Sequence, residues 1–153
     1  MKVVIIDDDK NAGLALADLL ETRYDMEVLG HALCALDGLA LLNKHQPDVL
    51  FLDVQLPDVN GLDFIDKLSE FTHGRQVVMY TAYYEFVVTA FRKQAFDVLL
   101  KPIDTKELDT VVKRLEKEHE RIVERGDREM PATLNGKLLF YTNSVDFKVV
   151  DKD

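Results

Sequence analysis

The chain has 153 residues, with 28 acidic and 19 basic side chains and a formal net charge of -9. That length suits one compact domain with an appendage, and 47% hydrophobic with 31% charged residues excludes a disordered chain. No apolar run approaches the roughly 20 residues of a membrane span. The N-terminus turns acidic at Asp7, too soon for a signal peptide, and the lone Cys34 excludes a disulfide framework or a thiolate-rich zinc site. A reducing, cytoplasmic address is expected.

The first predicted element is a strand, Val3-Val4-Ile5-Ile6. Residues 11–22 follow with a helical pattern that sets Leu14, Ala17, Leu19 and Leu20 on or near one face. Met26-Glu27-Val28-Leu29 is a more mixed run, as suits an edge strand. Residues 34–44 predict a second helix, with Leu36, Leu39 and Leu42 at three-residue steps and Leu41 beside them. Next come the strand Val49-Leu50-Phe51-Leu52 and a helix over 61–70 carrying Leu62, Phe64, Ile65 and Leu68. The strand Val77-Val78-Met79-Tyr80 precedes a helix over 84–94 with Phe86, Val87, Ala90 and Phe91. After Val98-Leu99-Leu100, a long amphipathic helix runs from Asp104 through Leu108, Val111, Val112, Leu115 and Ile122 to a stop at Gly126. Asp104 and Glu107 form a capping-box pattern.

Continuous β-branched and aromatic runs belong to strands covered on both faces, as in a parallel sheet. Five β-α repeats imply right-handed crossovers and a doubly wound α/β sheet. Residues 126–133 read as a polar linker with Pro131. Residues 134–153 then hold two strand-like runs around Asn143-Ser144, a β-hairpin-like extension. A lone hairpin is marginal in water. It must pack on the main domain, pair with another chain, or open a further domain.

The charge is unevenly placed. Residues 1–112 hold 10 basic and 19 acidic side chains, whereas 113–153 hold nine of each. This excess makes the N-terminal part a poor nucleic-acid surface. Solubility alone accounts for such acidity, and so does a cation among gathered carboxylates. Position favours the cation. Asp7, Asp8 and Asp9 follow the first strand, Asp53 the third, Thr81 the fourth, and Lys101-Pro102 the fifth. All lie at the carboxyl edge of a parallel sheet, where open α/β folds bind ligands. Clustered carboxylates repel unless a cation sits among them, and Mg²⁺ suits oxygen ligands while keeping waters for a phosphate to replace. Lys101 and the Thr81 hydroxyl can then bind oxygens of a phosphoryl group carried by Asp53.

Ile5-Ile6-Asp7-Asp8-Asp9, the run from Phe51 through Asp53 to Gly61, Tyr80-Thr81-Ala82 and Leu99-Leu100-Lys101-Pro102 together resemble the receiver domain of bacterial two-component response regulators. The likeness covers about residues 1–125. It implies a flavodoxin-like five-stranded parallel sheet of order 2-1-3-4-5 with a long last helix. It also implies Asp53 as phosphoacceptor, and Asp8 as a direct Mg²⁺ ligand with Asp7 direct or through water. Asp53 and the Gln55 backbone carbonyl complete the ligands, and Thr81 and Lys101 contact the phosphoryl group. A cis Lys101-Pro102 bond is expected. The implied partner is a histidine kinase or phosphotransfer protein. Gln55 and Tyr83 fall where family members tune the phosphate lifetime. Val98 departs from the pattern, since most receivers carry Tyr or Phe three residues before the lysine.

Other residues have plainer readings. Asp9 caps the first helix, and Asp58 with Asn60-Gly61 serves a turn. His31, His45, His73 and His119 are surface or packing residues, and Cys34 a small core side chain. The aromatics Tyr80, Tyr83, Tyr84, Phe86, Phe91 and Phe96 are mostly core, with some left for a partner face. Leu115 and Ile122 on the distal long helix are expected to lack an intrachain partner and to serve a homodimer. Tyr80-Thr81-Ala82-Tyr83, Ala95-Phe96-Asp97 and the β-rich tail resemble LytTR-type regulators. Their DNA-binding domain would be largely missing from this chain, so DNA is expected to be contacted only through that downstream domain. Two alternatives stay open: a haloacid-dehalogenase-type phosphatase, whose Asp-x-Asp-x-Thr/Val pattern fails at Asn11, and a phosphate-independent receiver-like scaffold.

Overall fold

The computed structural model describes residues 1–68 and 76–125. The expected last turn of the 61–70 helix, the Gly126 stop, the linker and the 134–153 extension lie outside the described residues.

Five strands and five helices alternate: β1 (Lys2–Ile6), α1 (Lys10–Arg23), β2 (Glu27–Ala32), α2 (Ala35–His45), β3 (Val49–Asp53), α3 (Gly61–Leu68), β4 (Gln76–Thr81), α4 (Val87–Arg92), β5 (Asp97–Leu100) and α5 (Thr105–Arg125). The strands form one sheet of order β2-β1-β3-β4-β5, and every pairing is parallel. This is the flavodoxin-like order the resemblance implies. The central strands β1 and β3 bury Val3–Ile6 and Val49–Asp53 throughout, which is why those runs carry no polar alternation. At the edge, β2 is half-buried, and its ladder with β1 shifts register between Val3 and Val4. That strand continues to Ala32, three residues past the predicted run.

Because side chains alternate along a strand, each strand feeds two layers. Val3, Ile5, Phe51, Val78, Tyr80 and Leu99 share one core with Leu16 and Leu20 of α1 and with Leu108, Val111, Val112 and Leu115 of α5. On the opposite face, Gly38 of α2 lies so close to Ile6 that an added Cβ would come within 2.3 Å of the Ile6 side chain. Burying these apolar side chains stabilises the domain by about 25 cal/mol per Å² removed from water.

The helix faces differ in detail from the predicted ones. In α1 the buried residues are Gly13, Leu16 and Leu20, while Leu14 is exposed. In α2 they are Ala35, Gly38 and Leu42, and Leu36 is 73% exposed. The physical reason is the 3.6-residue turn. Strict three-residue steps drift around the axis, whereas alternating steps of three and four stay on one face. The predicted 84–94 helix is a 3₁₀ turn, Tyr84–Phe86, followed by the six-residue α4. Tyr83, Tyr84, Val88 and Phe91 are exposed there and not core. Predicted faces do hold in α3, with Leu62, Phe64, Ile65 and Leu68 buried, and in α5, with Leu108, Val111, Val112, Leu115 and Ile122 buried. The last point corrects the interface expected on α5. Leu115 belongs to the core and Ile122 is also buried, so neither offers an open apolar face to a second chain.

Side chains close the helix ends. The Asp9 carboxylate accepts the Asn11 and Ala12 N–H groups at the start of α1. That of Asp104 accepts the Lys106 N–H at 2.8 Å at the start of α5. Cys34 is the half-buried N-cap of α2 and not a core side chain.

The described residues fall into two compact units. The first, 1–66 with 76–116, holds the whole sheet and the site below. In the second, 67–68 with 117–125, Arg121 pairs with Glu118 one turn earlier on α5.

Candidate functional site

Parallel register sets the strand ends side by side. Ile6 pairs with Leu52, Asp53 with Tyr80, and Thr81 with Leu100. The residues at and just after these ends are therefore neighbours at the carboxyl edge. One carboxylate oxygen each from Asp7, Asp8 and Asp53 lies within 4.8 Å of the other two. Asp7 and Asp53 are buried and Asp8 is exposed, so the cluster opens to solvent on the Asp8 side. The Lys101 ammonium completes the group, with Nζ 3.1 Å from Asp7 Oδ2 and 3.2 Å from Asp53 Oδ2. Its backbone is anchored by an N–H donated to the Thr81 carbonyl at 2.8 Å, and the Lys101-Pro102 peptide is cis.

The loop after β3 is shaped by Gly61. Its N–H donates to the Val54 carbonyl at 2.5 Å, and a Cβ there would lie 2.2 Å from the Asp53 carbonyl oxygen. Only glycine lets this loop fold back against the acceptor strand. Asn60 caps α3 by accepting the Leu62 N–H at 2.7 Å. The Gln55 N–H donates to Asp53 Oδ1 at 3.2 Å, which helps to fix that carboxylate. The Thr81 hydroxyl is buried and accepts the Tyr83 N–H at 3.0 Å. Val98 is half-buried in β5.

Asp58 does more than serve its own turn. Its two carboxylate oxygens accept the N–H groups of Ala35 and Leu36, 3.0 Å each, at the start of α2. Asp9 stays with its helix cap and outside the acidic cluster.

Two residues near the cluster escape the sequence reading. Tyr80 has its ring in the core, but its hydroxyl donates to Asp7 Oδ2 at 2.6 Å. A buried tyrosine hydroxyl needs a partner. The available signal was a Tyr closing an otherwise apolar strand one residue before Thr81. His31 sets Nε2 2.9 Å from the Asp7 backbone oxygen, and no motif marks it.

The electrostatics are unbalanced. Burial pushes the Asp53 carboxyl up to about 6, with the neighbouring Asp7 adding to the rise and Lys101 opposing it. Burial also acts upward on Asp7. The Tyr80 hydroxyl, the Asp9 N–H, Asp53 and Lys101 together outweigh it and hold Asp7 below the ordinary carboxylate value. For Lys101, burial is outweighed by Asp7 and Asp53, and the ammonium is held more tightly protonated than usual. One lysine thus contacts two of the three clustered carboxylates, and the surplus negative charge falls on Asp53. A hard divalent cation with oxygen ligands would balance it, and the donor set fits Mg²⁺. The arrangement can hold a cation beside a carboxylate nucleophile, with an ammonium ready for transferred negative charge.

The response regulator receiver domain family matches this chain over residues 3–113, and the chain belongs to that family. It is therefore the receiver domain of a two-component response regulator, a signalling module. An uncharacterized response regulatory protein of Vibrio cholerae is 36% identical over 157 residues, covering 99% of this chain and 66% of the relative. The transcriptional regulatory protein BtsR of Escherichia coli is 38% identical over 121 residues, covering 79% of this chain and 50% of BtsR. The chain thus spans less than two thirds of the length of these curated relatives. The response regulatory domain of mrkE from Klebsiella pneumoniae superposes with a TM-score of 0.73 at 33% identity, covering 79% of this chain and 99% of that one. Among the described residues no helix is long and apolar enough to cross a membrane.

Proposed function

We propose that the domain takes a phosphoryl group from a phosphohistidine of a partner histidine kinase or phosphotransfer protein onto Asp53. One observation carries this reading: the buried Asp53 carboxylate, pushed up to about 6, shares one lysine with Asp7 and lies in a cluster of three acidic residues. Asp8, Asp7, Asp53 and the Gln55 carbonyl would hold Mg²⁺, which when bound lowers the charge on the nucleophile and on the incoming phosphoryl oxygens. An Asp53 oxygen attacks phosphorus, a P–O bond forms, the P–N bond breaks, and the electron pair returns to the imidazole. Lys101 keeps Asp53 oriented, then follows the new charge in a charge-assisted contact. The Thr81 hydroxyl gives up the Tyr83 N–H and donates to a phosphoryl oxygen.

The domain is a signalling switch and not a turnover enzyme. Its proposed boundaries are 1–125, followed by the 126–133 linker and the 134–153 extension toward an output domain. Transcriptional output through a DNA-binding domain, of LytTR type by resemblance, is supported by the name of BtsR. Switching through homodimerisation and a cytoplasmic location complete the reading.

The test is labelling with a small phosphodonor and Mg²⁺, followed by peptide mapping. The wild type should gain one acid-stable, alkali-labile phosphoryl group on the peptide that contains Asp53, and Asp53→Asn should gain none there. Labelling at Asp7 instead would favour the phosphatase alternative, and equal labelling of both proteins would remove Asp53 from its role.

A further inference from the structure

Asp7 is the most deeply buried of the three clustered carboxylates, at 0% exposure. Three donors reach it. The Asp9 N–H meets Oδ1 at 2.9 Å, while the Tyr80 hydroxyl at 2.6 Å and the Lys101 ammonium at 3.1 Å both meet Oδ2. These donors are not equivalent. The Asp9 N–H is backbone, which any residue at that position would supply. Lys101 is divided, since Asp53 Oδ2 lies at 3.2 Å, almost as near as Asp7. Among the described residues, Tyr80 is the one side chain committed to Asp7. Its ring is fully buried, packs edge-on against Phe51 with centroids 6.5 Å apart, and underlies the Lys101 ammonium at 4.6 Å. The ring cannot move without opening the core, so the hydroxyl is held at a fixed point beneath the carboxylate.

We propose that Tyr80 is a positioning residue for the acidic cluster. Its hydroxyl fixes the Asp7 carboxylate and keeps Lys101 shared between Asp7 and Asp53, which prepares the cluster for a divalent cation.

The physical reasoning has two parts. A carboxylate pinned through both oxygens has lost its rotational freedom before the cation arrives, so binding does not carry that cost. Hydrogen bonds to metal-ligating groups commonly change affinity by about 10–100-fold. Without the hydroxyl, Lys101 is the sole side-chain donor to Asp7 among the described residues, and Coulomb attraction draws it off Asp53. The lost pinning weakens cation binding at Asp7. The inference rests on the Mg²⁺ site of the proposed function, but it concerns affinity and not phosphoryl transfer.

The experiment is a calorimetric Mg²⁺ titration of the unphosphorylated full chain. Wild type, Tyr80→Phe and Val78→Ala are compared. Val78→Ala perturbs the same strand in the same core without touching Asp7. Tyr80→Phe removes a single oxygen and should remain folded, which a circular dichroism melt checks for all three proteins. The expected result is a dissociation constant raised about 10-fold in Tyr80→Phe. Val78→Ala should bind like wild type despite its lower melting temperature. Manganese, read by its electron paramagnetic resonance signal, should show the same ranking. Equal affinity of Tyr80→Phe and wild type would overturn the positioning role and leave the Mg²⁺ site standing. An equal loss in Val78→Ala would overturn it too, reducing Tyr80 to a core residue. No Mg²⁺ binding by the wild type would overturn both this inference and the proposed site.

Discussion

The carboxylate of Asp58, on the loop after β3, accepts the N–H of Ala35 at the first residue of α2, at 3.0 Å. The second carboxylate oxygen takes the Leu36 N–H. The loop that follows the acceptor strand is thereby tied to the start of a helix more than twenty residues away. Burial acts upward on the Asp58 carboxyl, but the N–H groups it accepts outweigh this and hold it below the usual carboxylate range.

Asp58→Ala should therefore destabilise the domain by about 1 kcal/mol at neutral pH, as for loss of a helix cap. The folded-state value lies below the unfolded one. The charged contribution is thus present above the ordinary carboxylate value of about 4 and is lost as pH falls through the lowered folded value. Urea melts of both proteins across that acid range should show the gap narrowing. A gap that stays constant would exclude the charge from the cap.

Asp53 has the opposite sign. Its folded-state value, about 6, lies above the unfolded one. In metal-free protein its penalty is absent below about pH 4 and complete above about pH 7. Asp53→Asn should accordingly stabilise the chelator-treated protein at pH 7.5 by about 1–3 kcal/mol, with the gain fading toward pH 4. Adding Mg²⁺ should raise the melting temperature of the wild type more than that of the variant. A variant less stable than wild type at pH 7.5 without metal would contradict the charge imbalance described above.

Gly61→Ala isolates a steric effect. Alanine is the better helix former, so propensity alone would stabilise α3. The added Cβ would instead meet the Asp53 carbonyl oxygen at 2.2 Å and Val54 Cα at 2.8 Å. We expect a net loss of about 1–3 kcal/mol from overpacking, together with slower labelling from a small phosphodonor as the acceptor strand shifts. Unchanged stability and labelling would mean that the loop yields freely.

Leu115 and Val88 separate core from interface. Leu115 is fully buried beside Val111 and Val112, so Leu115→Ala should cost about 2–5 kcal/mol and leave the oligomeric state alone. Val88 is exposed, as are Tyr84 and Phe91 around it in sequence. If the domain dimerises when treated with Mg²⁺ and beryllofluoride, light scattering should show Val88→Asp weakening that dimer at little cost in stability. Loss of the dimer in Leu115→Ala, measured well below its melting temperature, would return the interface to α5.

Local patterns were enough to specify the sheet and the strand-end chemistry. Unbroken apolar runs mark strands covered on both faces, and the β-α alternation imposes a parallel sheet whose carboxyl ends share one edge. Asp7, Asp8, Asp53, Thr81 and Lys101 were all legible as neighbours for that reason. The inward faces of α1 and α2 were not. Small residues, Gly13 in one and Ala35 with Gly38 in the other, take positions that a count of leucines assigns elsewhere. A leucine pattern reports hydrophobicity, whereas close helix-sheet approach selects for the absence of a side chain. The partners of polar groups were equally hidden. Nothing in the order of residues joins Asp58 to Ala35 or the Tyr80 hydroxyl to Asp7, because each pair is distant in the chain and meets only when strands and loops are packed. Composition and periodicity determine which residues reach the carboxyl edge. Only the tertiary structure decides which donor each buried carboxylate receives, since a hydrogen bond requires an approach of about 3 Å that no sequence spacing imposes.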